Sequence, residues 1–281
     1  MTKPLPTETH SHTTAAGFTQ KLDVFRPTGE SRRCAVLVFH GGGWRTGTPQ
    51  DVHDRAGALA ERGFTAIAAD YRLLDAAPWP APVDDLRTAL GWVRAHAHEL
   101  DIEPENIVVQ GHSAGGHLAL MSGTLDRSER PAAIVAYYPP VGFHPVAPPA
   151  SSQLRPEDLV LDEEGRMPSW MVFPAGGESA QDLDAASPIA RLDGGFPPTV
   201  LLHGTQDMAL HHRSSLLLHS RLSALGVPSS LHVYAGRIHE FDRAPTMLAH
   251  TSRDVALFLE CYVTDRKRVE AEAELYPFPP R

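Results

Sequence analysis

Residues 106–119 read Asn-Ile-Val-Val-Gln-Gly-His-Ser-Ala-Gly-Gly-His-Leu-Ala, and no other segment limits so strongly what this chain can fold into. Ile107-Val108-Val109 predicts a buried strand, Gly111-His112-Ser113-Ala114-Gly115 a sharp turn, and Leu118, Leu120 and Met121 a helix after it. A strand, a sharp turn and a helix in that order hold the apex side chain in a strained, exposed position. Glycines suit 111 and 115 because such a turn brings backbone against backbone, where a Cβ would clash. The apex residue is Ser113, whose hydroxyl is a candidate nucleophile.

The remainder of the chain supplies a frame for that turn. Apolar runs at 35–39, 64–69, 132–138, 199–203 and 230–234 alternate with helical patterns at about 51–62, 83–98, 212–225 and 245–263. Strand–helix alternation along a whole chain predicts an α/β fold, with a mainly parallel central sheet and helices on both faces. Lys21 to Phe25 alternates like an edge strand ended by Pro27. Residues 1–17 carry Thr, His and Pro without periodicity and are expected to form a flexible N-terminal arm, and 265–281 a charged C-terminal tail. Within the domain at 18–264, residues 139–190 are Pro-rich and break the rhythm, as a short inserted lid would. Asp84 and Asp85 are expected at a helix N-terminus.

With 281 residues the chain can bury one large core, and its formal charge of −9 argues against nucleic acid or an anionic membrane as the main partner. No apolar run approaches the length of a membrane span, and the N-terminus lacks a basic-then-apolar leader pattern. Cys34 and Cys261 make no disulfide framework, so a cytoplasmic protein is expected, monomer or homodimer. Sixteen histidines invite a metal, but a metal needs three or four convergent ligands and no spacing supplies them. Neither metal nor other cofactor is expected.

A serine hydroxyl becomes a nucleophile when a base takes its proton and a carboxylate orients the base. In an open parallel sheet, reacting groups lie at the carboxyl ends of strands. Asp207 follows the strand at 199–203, and His239 follows the one ending at Tyr234. The order Ser113, Asp207, His239 is that of α/β hydrolases. His40-Gly41-Gly42-Gly43-Trp44 follows another strand and offers backbone N–H groups to a developing oxyanion. A phosphate cradle is disfavoured because no Lys-Ser/Thr follows the glycines.

HGGGW (40–44), ADYRL (69–73), GHSAGGHLAL (111–120), HGTQD (203–207) and GRIHEF (236–241) together resemble the hormone-sensitive-lipase-like esterases of the α/β-hydrolase superfamily. The short N-terminal segment is more similar to their compact bacterial esterase/lipase and arylformamidase branches. The resemblance spans about residues 20–263 and implies an α/β-hydrolase fold and carboxylic ester hydrolysis. It implies Ser113 as nucleophile, His239 as base, Asp207 as acid, and Gly42, Gly43 and Ala114 at the oxyanion hole. The substrate is then a small-molecule ester. Two departures stand out: Arg237 precedes the histidine where relatives often carry small residues, and 139–190 matches no lid pattern.

Trp44, His112 and Trp170 are candidates to line the substrate pocket, while His40, His117 and His203 are expected in packing or structural hydrogen bonds. Glu240 and Asp242 flank His239 too closely in sequence to orient its ring. Two rival functions use the same residues. An arylformamidase would turn the triad on an N-formyl amide, and a ligand-binding protein of this fold would use the pocket without turnover.

Overall fold

The apolar runs become a stack of parallel strands. The computed structural model describes residues 4–146, 161–163, 165–173 and 179–274. In chain order the strands are β1 (Glu8–Thr13), β2 (Thr19–Phe25), β3 (Ala35–Phe39), β4 (Thr65–Ala69), β5 (Ile107–His112), β6 (Ala133–Tyr137), β7 (Phe143–His144), β8 (Met167–Pro168), β9 (Thr199–Gly204) and β10 (Ser229–Tyr234). The α-helices are α1 (His53–Ala60), α2 (Ala81–Ala95), α3 (Ala114–Ser122), α4 (Ala180–Ala186), α5 (Arg213–Ala224), α6 (Pro245–Leu259) and α7 (Arg266–Glu274). Eight strands form one sheet in the order β1-β2-β4-β3-β5-β6-β9-β10, while β7 and β8 pair separately. The sheet is antiparallel at β1–β2 and β2–β4 and parallel from β4 to β10.

Every residue of β3, β4, β6 and β9 is buried, which requires cover on both faces. Alternation along β3 shows how that cover is divided. Leu37 and Phe39 join a core with Leu86 and Leu90 of α2 and Leu118 of α3. Val36 and Val38 face the other way, onto Leu59 of α1 and Val255 and Leu259 of α6. From β3 the chain steps outward to β4, then crosses back to place β5 on the other side of β3. This reversal of strand order opens a crevice at the carboxyl ends of β3 and β5, where Phe39 is in register with Gly111.

Several expectations need correction. The N-terminal arm contains β1, which pairs with β2 along its whole length, from Glu8↔Val24 to Thr13↔Thr19. Its residues are all polar, so no hydrophobic period announces it; threonines favour the strand, and His10 and His12 lie against the Trp92 ring. Lys21 to Phe25 is consequently an interior strand. The charged tail forms α7, with Arg266–Glu270 and Arg268–Glu272 pairs one turn apart, each 2.8 Å. Asp85 does not serve a helix end: it is fully buried and accepts from Arg72 Nε and Nη2, each at 2.8 Å. Residues 147–160, 164 and 174–178 of the expected lid, together with 1–3 and 275–281, lie outside the described residues. Among the described residues, no helix is long and apolar enough to cross a membrane.

Candidate active site

Ser113 stands where β5 turns into α3, with φ 55° and ψ −118°. That region disfavours any residue with a Cβ, and it persists only where the surroundings over-determine it. Here they do. A Cβ on Gly111 would overlap the Gly115 carbonyl, and one on Gly115 would overlap the carbonyls of Phe39 and His40. Helix α3 is buried at every position, so the turn rests on a fixed support. The Ser113 N–H donates to the Tyr137 carbonyl (3.0 Å), which ties the elbow to the next strand.

The other members arrive from neighbouring strand ends. His239 donates from Nδ1 to Asp207 Oδ2 at 2.7 Å and accepts at Nε2 from Ser113 Oγ at 3.0 Å. Asp207 Oδ1 accepts from the N–H groups of Ala209 (2.9 Å) and Leu210 (2.8 Å). His203 Nε2 lies 3.3 Å from Asp207 Oδ2 and 2.8 Å from the Leu210 carbonyl, and its Nδ1 faces Ser215 Oγ at 2.8 Å. The carbonyl can only accept, so Nε2 carries the proton and Nδ1 accepts from the serine. Burial by itself would raise the Asp207 carboxyl, but hydrogen bonds from His203, His239 and the Leu210 amide outweigh it and hold the group well below the usual carboxylate range. Arg237 is exposed, and its carbonyl accepts from the Gln206 N–H (2.9 Å), fastening the histidine loop to the acid loop.

The glycine loop passes beside the elbow. A Cβ on Gly41 would sit 3.2 Å from Ser113 Cβ, so the two backbones are in van der Waals contact. Arg45 and Thr46 both donate to the Gly42 carbonyl at 3.1 Å, closing a tight turn. Among the described residues, nothing accepts from the N–H groups of Gly42, Gly43 or Ala114. The ADYRL motif explains itself as support for this loop. Tyr71 OH donates to the His40 carbonyl (3.1 Å), its ring stacks on His40, and the Leu74 N–H donates to the Trp44 carbonyl (2.8 Å).

Of the three residues expected to line the pocket, none is exposed. Trp44 and Trp170 join the apolar core, Trp44 against His117 and Phe143. Their rings are large enough to be worth more as packing than as a wall facing water. His112 is also buried, with Nδ1 3.2 Å from Asp242 Oδ2 and Nε2 accepting from Gln110 Nε2 at 3.2 Å. Arg55 and Tyr138 carry no sequence signal that singles them out, and Asp242, three residues past His239, is set aside by its closeness to that ring; Tyr138 follows β6 directly, beside the elbow. An apolar cleft of about 530 Å³ lies further along, lined by Trp79, Val83, Met121, Val172 and Phe173, and the Trp79 ring touches His117 one helical turn from Ser113. Among the described residues, no group of three or more His, Cys, Asp or Glu is placed to hold a metal ion.

This geometry has relatives. The chain is 30% identical to esterase LipU of Mycobacterium tuberculosis over 233 residues, 80% of this chain and 76% of LipU. It is 31% identical to LipM of the same organism over 206 residues, which is 68% of this chain but only 46% of LipM, so it spans less than half of that protein. A thermophilic esterase of the planctomycete Thermogutta terrifontis superimposes with a TM-score of 0.70 at 28% identity, covering 90% of this chain and 91% of the other. The same esterase with butyrate bound gives 0.71 at 27% identity, covering 90% and 92%. The BD-FAE family model matches residues 22–222, from the second strand through the elbow and the acid loop. With that match over most of its sheet and esterases as its neighbours in sequence and structure, the chain belongs to the BD-FAE family of α/β-hydrolase esterases.

Proposed function

We propose that this protein is a serine hydrolase that cleaves carboxylic esters of small to medium acyl chains through an acyl-enzyme intermediate. The observation that carries the reading is one imidazole bridging a strained serine at 3.0 Å and a buried carboxylate at 2.7 Å. As Ser113 Oγ attacks the ester carbonyl, its proton passes to His239 Nε2. Asp207, acceptor-only and ionised, stabilises the imidazolium through Nδ1. The carbonyl oxygen becomes an oxyanion, which the N–H groups of Gly42, Gly43 and Ala114, free among the described residues, are proposed to receive; one such donor contributes roughly 3 kcal/mol. Collapse expels the alcohol, which takes the proton from Nε2, and water then repeats the sequence on the acyl-enzyme to release the acid.

The acyl preference is drawn from the butyrate held by the Thermogutta esterase. Both cysteines are free, which fits the reducing cytoplasm. A p-nitrophenyl ester series from acetate to laurate should give its highest kcat/KM at short to medium chains, with N-formylkynurenine turned over more slowly. A fluorophosphonate should label Ser113, and Ser113→Ala should lower kcat by roughly 10⁴–10⁶. Folded protein that refuses the label and turns over no ester would instead be a ligand-binding protein, and near-normal turnover by Ser113→Ala would remove the serine from its role.

A further inference from the structure

His239 is carried on a loop, and a loop leaves a ring free to drift unless something holds its depth. Asp242 lies on that loop and is fully buried. A carboxylate without water is costly unless donors surround it, and here they come from three separate segments. Arg55 Nε of α1 donates at 2.8 Å and Tyr138 OH beyond β6 at 2.5 Å, while His112 Nδ1 at the end of β5 lies 3.2 Å away. Each donor also belongs to the site's framework. His112 is the residue before the nucleophile, and the Tyr138 ring lies 4.6 Å from the ring of His239. Arg55 is fixed in turn by donating from Nη1 to the Asp51 carbonyl at 3.0 Å.

The backbone carries the same message. Ser113, Tyr138 and Glu240 all take positive φ, at 55°, 38° and 56°. Residues with side chains adopt this region only where tertiary contacts impose it. Tyr138 is turned so that its hydroxyl reaches Asp242 while its ring meets His239, and Glu240 is the turn that sends Asp242 back beneath the elbow.

We infer that Asp242 is a positioning residue: by gathering Arg55, Tyr138 and His112 it clamps the His239 loop to the nucleophile elbow and so sets the Ser113–His239 distance, without touching substrate. The inference rests on the triad assigned above. Its consequence is a division of labour in which Asp207 acts on the ring electrostatically and Asp242 acts on where the ring stands.

The test counts competent sites first, by fluorophosphonate titration carried to completion, and then measures kcat per titrated site and KM on p-nitrophenyl butyrate. Asp242→Asn should lower kcat per site by roughly 10², the cost of displacing a reacting group by about 1 Å, with KM within about twofold. Tyr138→Phe keeps the ring against His239 and removes one donor, so a loss of roughly tenfold is expected; it decides the matter if Asp242→Asn does not fold. Arg55→Lys, which keeps a donor, should retain more kcat per site than Arg55→Met. Wild-type kcat per site in Asp242→Asn or Tyr138→Phe, or an effect confined to KM or to the number of titratable sites, would overturn the inference. If Ser113→Ala is inactive while Asp242→Asn turns over normally per site, the clamp fails and the triad stands; if Ser113→Ala stays active, the triad itself has failed.

Discussion

Asp207 and Asp242 are both withdrawn from water beside His239, yet the protein holds them in different ways. Asp207 is met by backbone N–H groups and two imidazoles, and no arginine or lysine pairs with it among the described residues. Asp242 is met by a buried guanidinium, a phenol and an imidazole. Burial would raise the Asp242 carboxyl too, and hydrogen bonds from His112 and Arg55, with the Arg55 charge, reverse it, holding the group far below the usual carboxylate range. The difference matches two tasks. In the roles proposed above, the carboxylate that answers a charge appearing on its neighbour is left without a permanent counter-ion, whereas the one that only has to stay in place is given one.

Asp207→Asn strikes this contrast hardest. It keeps the shape and removes the charge that stabilises imidazolium, so kcat on a p-nitrophenyl ester should fall by roughly 10³–10⁴. A near-wild-type rate would move the acid's role to another carboxylate and dissolve the comparison.

Unfolding in urea probes the two environments from the other side. Arg55→Met leaves a buried charge without its counter-ion and should cost about 3–5 kcal/mol. His203→Gln takes a neutral ring away from Asp207 and should cost only about 1–2 kcal/mol. Equal losses would mean that the ionic and neutral surroundings are energetically the same.

Acid separates them more gently. Burial holds His117 near 4, whereas in the unfolded chain it would titrate at about 6.5. Protons then favour the unfolded chain between those values, so stability falls by about 3 kcal/mol as the pH drops from 6.5 to 4. The contributions of Asp207 and Asp242 are fully present above the unfolded carboxylate value of about 3.9 and disappear as the pH falls further, through their depressed folded values. His117→Leu should flatten the upper part of the stability curve and leave the lower part alone. An unchanged slope above pH 4 would assign it to other histidines held low by burial, such as His112 and His40.

The reaction was more legible in the sequence than its supports. Ser113 and Asp207 follow β5 and β9, strands with a strong apolar signature, and His239 follows β10, whose Leu231 and Val233 give a weaker one, so spacing along the chain translates into position on one sheet edge. Strand β1 stayed hidden because pattern reading relies on hydrophobic alternation, and this strand packs with histidines and threonines instead. Asp242 stayed hidden for another reason. Its closeness to His239 rightly argued against orienting the ring from behind, but the reversal at Glu240 sends its side chain down to three partners up to 187 residues away in sequence. Trp44 and Trp170 lie in the core, a choice that sequence does not make: aromatic residues next to a catalytic motif can face either the pocket or the core, and only tertiary packing decides.

The backbone at Ser113 has a consequence for how this protein can change. At φ 55° a glycine would rest without strain, whereas a residue with a Cβ is disfavoured by roughly 1–2 kcal/mol. On the role proposed for Ser113, the residue that stability favours at this position is therefore one that would end catalysis. If that role holds, selection for robustness and selection for turnover pull this site in opposite directions, and the serine marks which of them has prevailed.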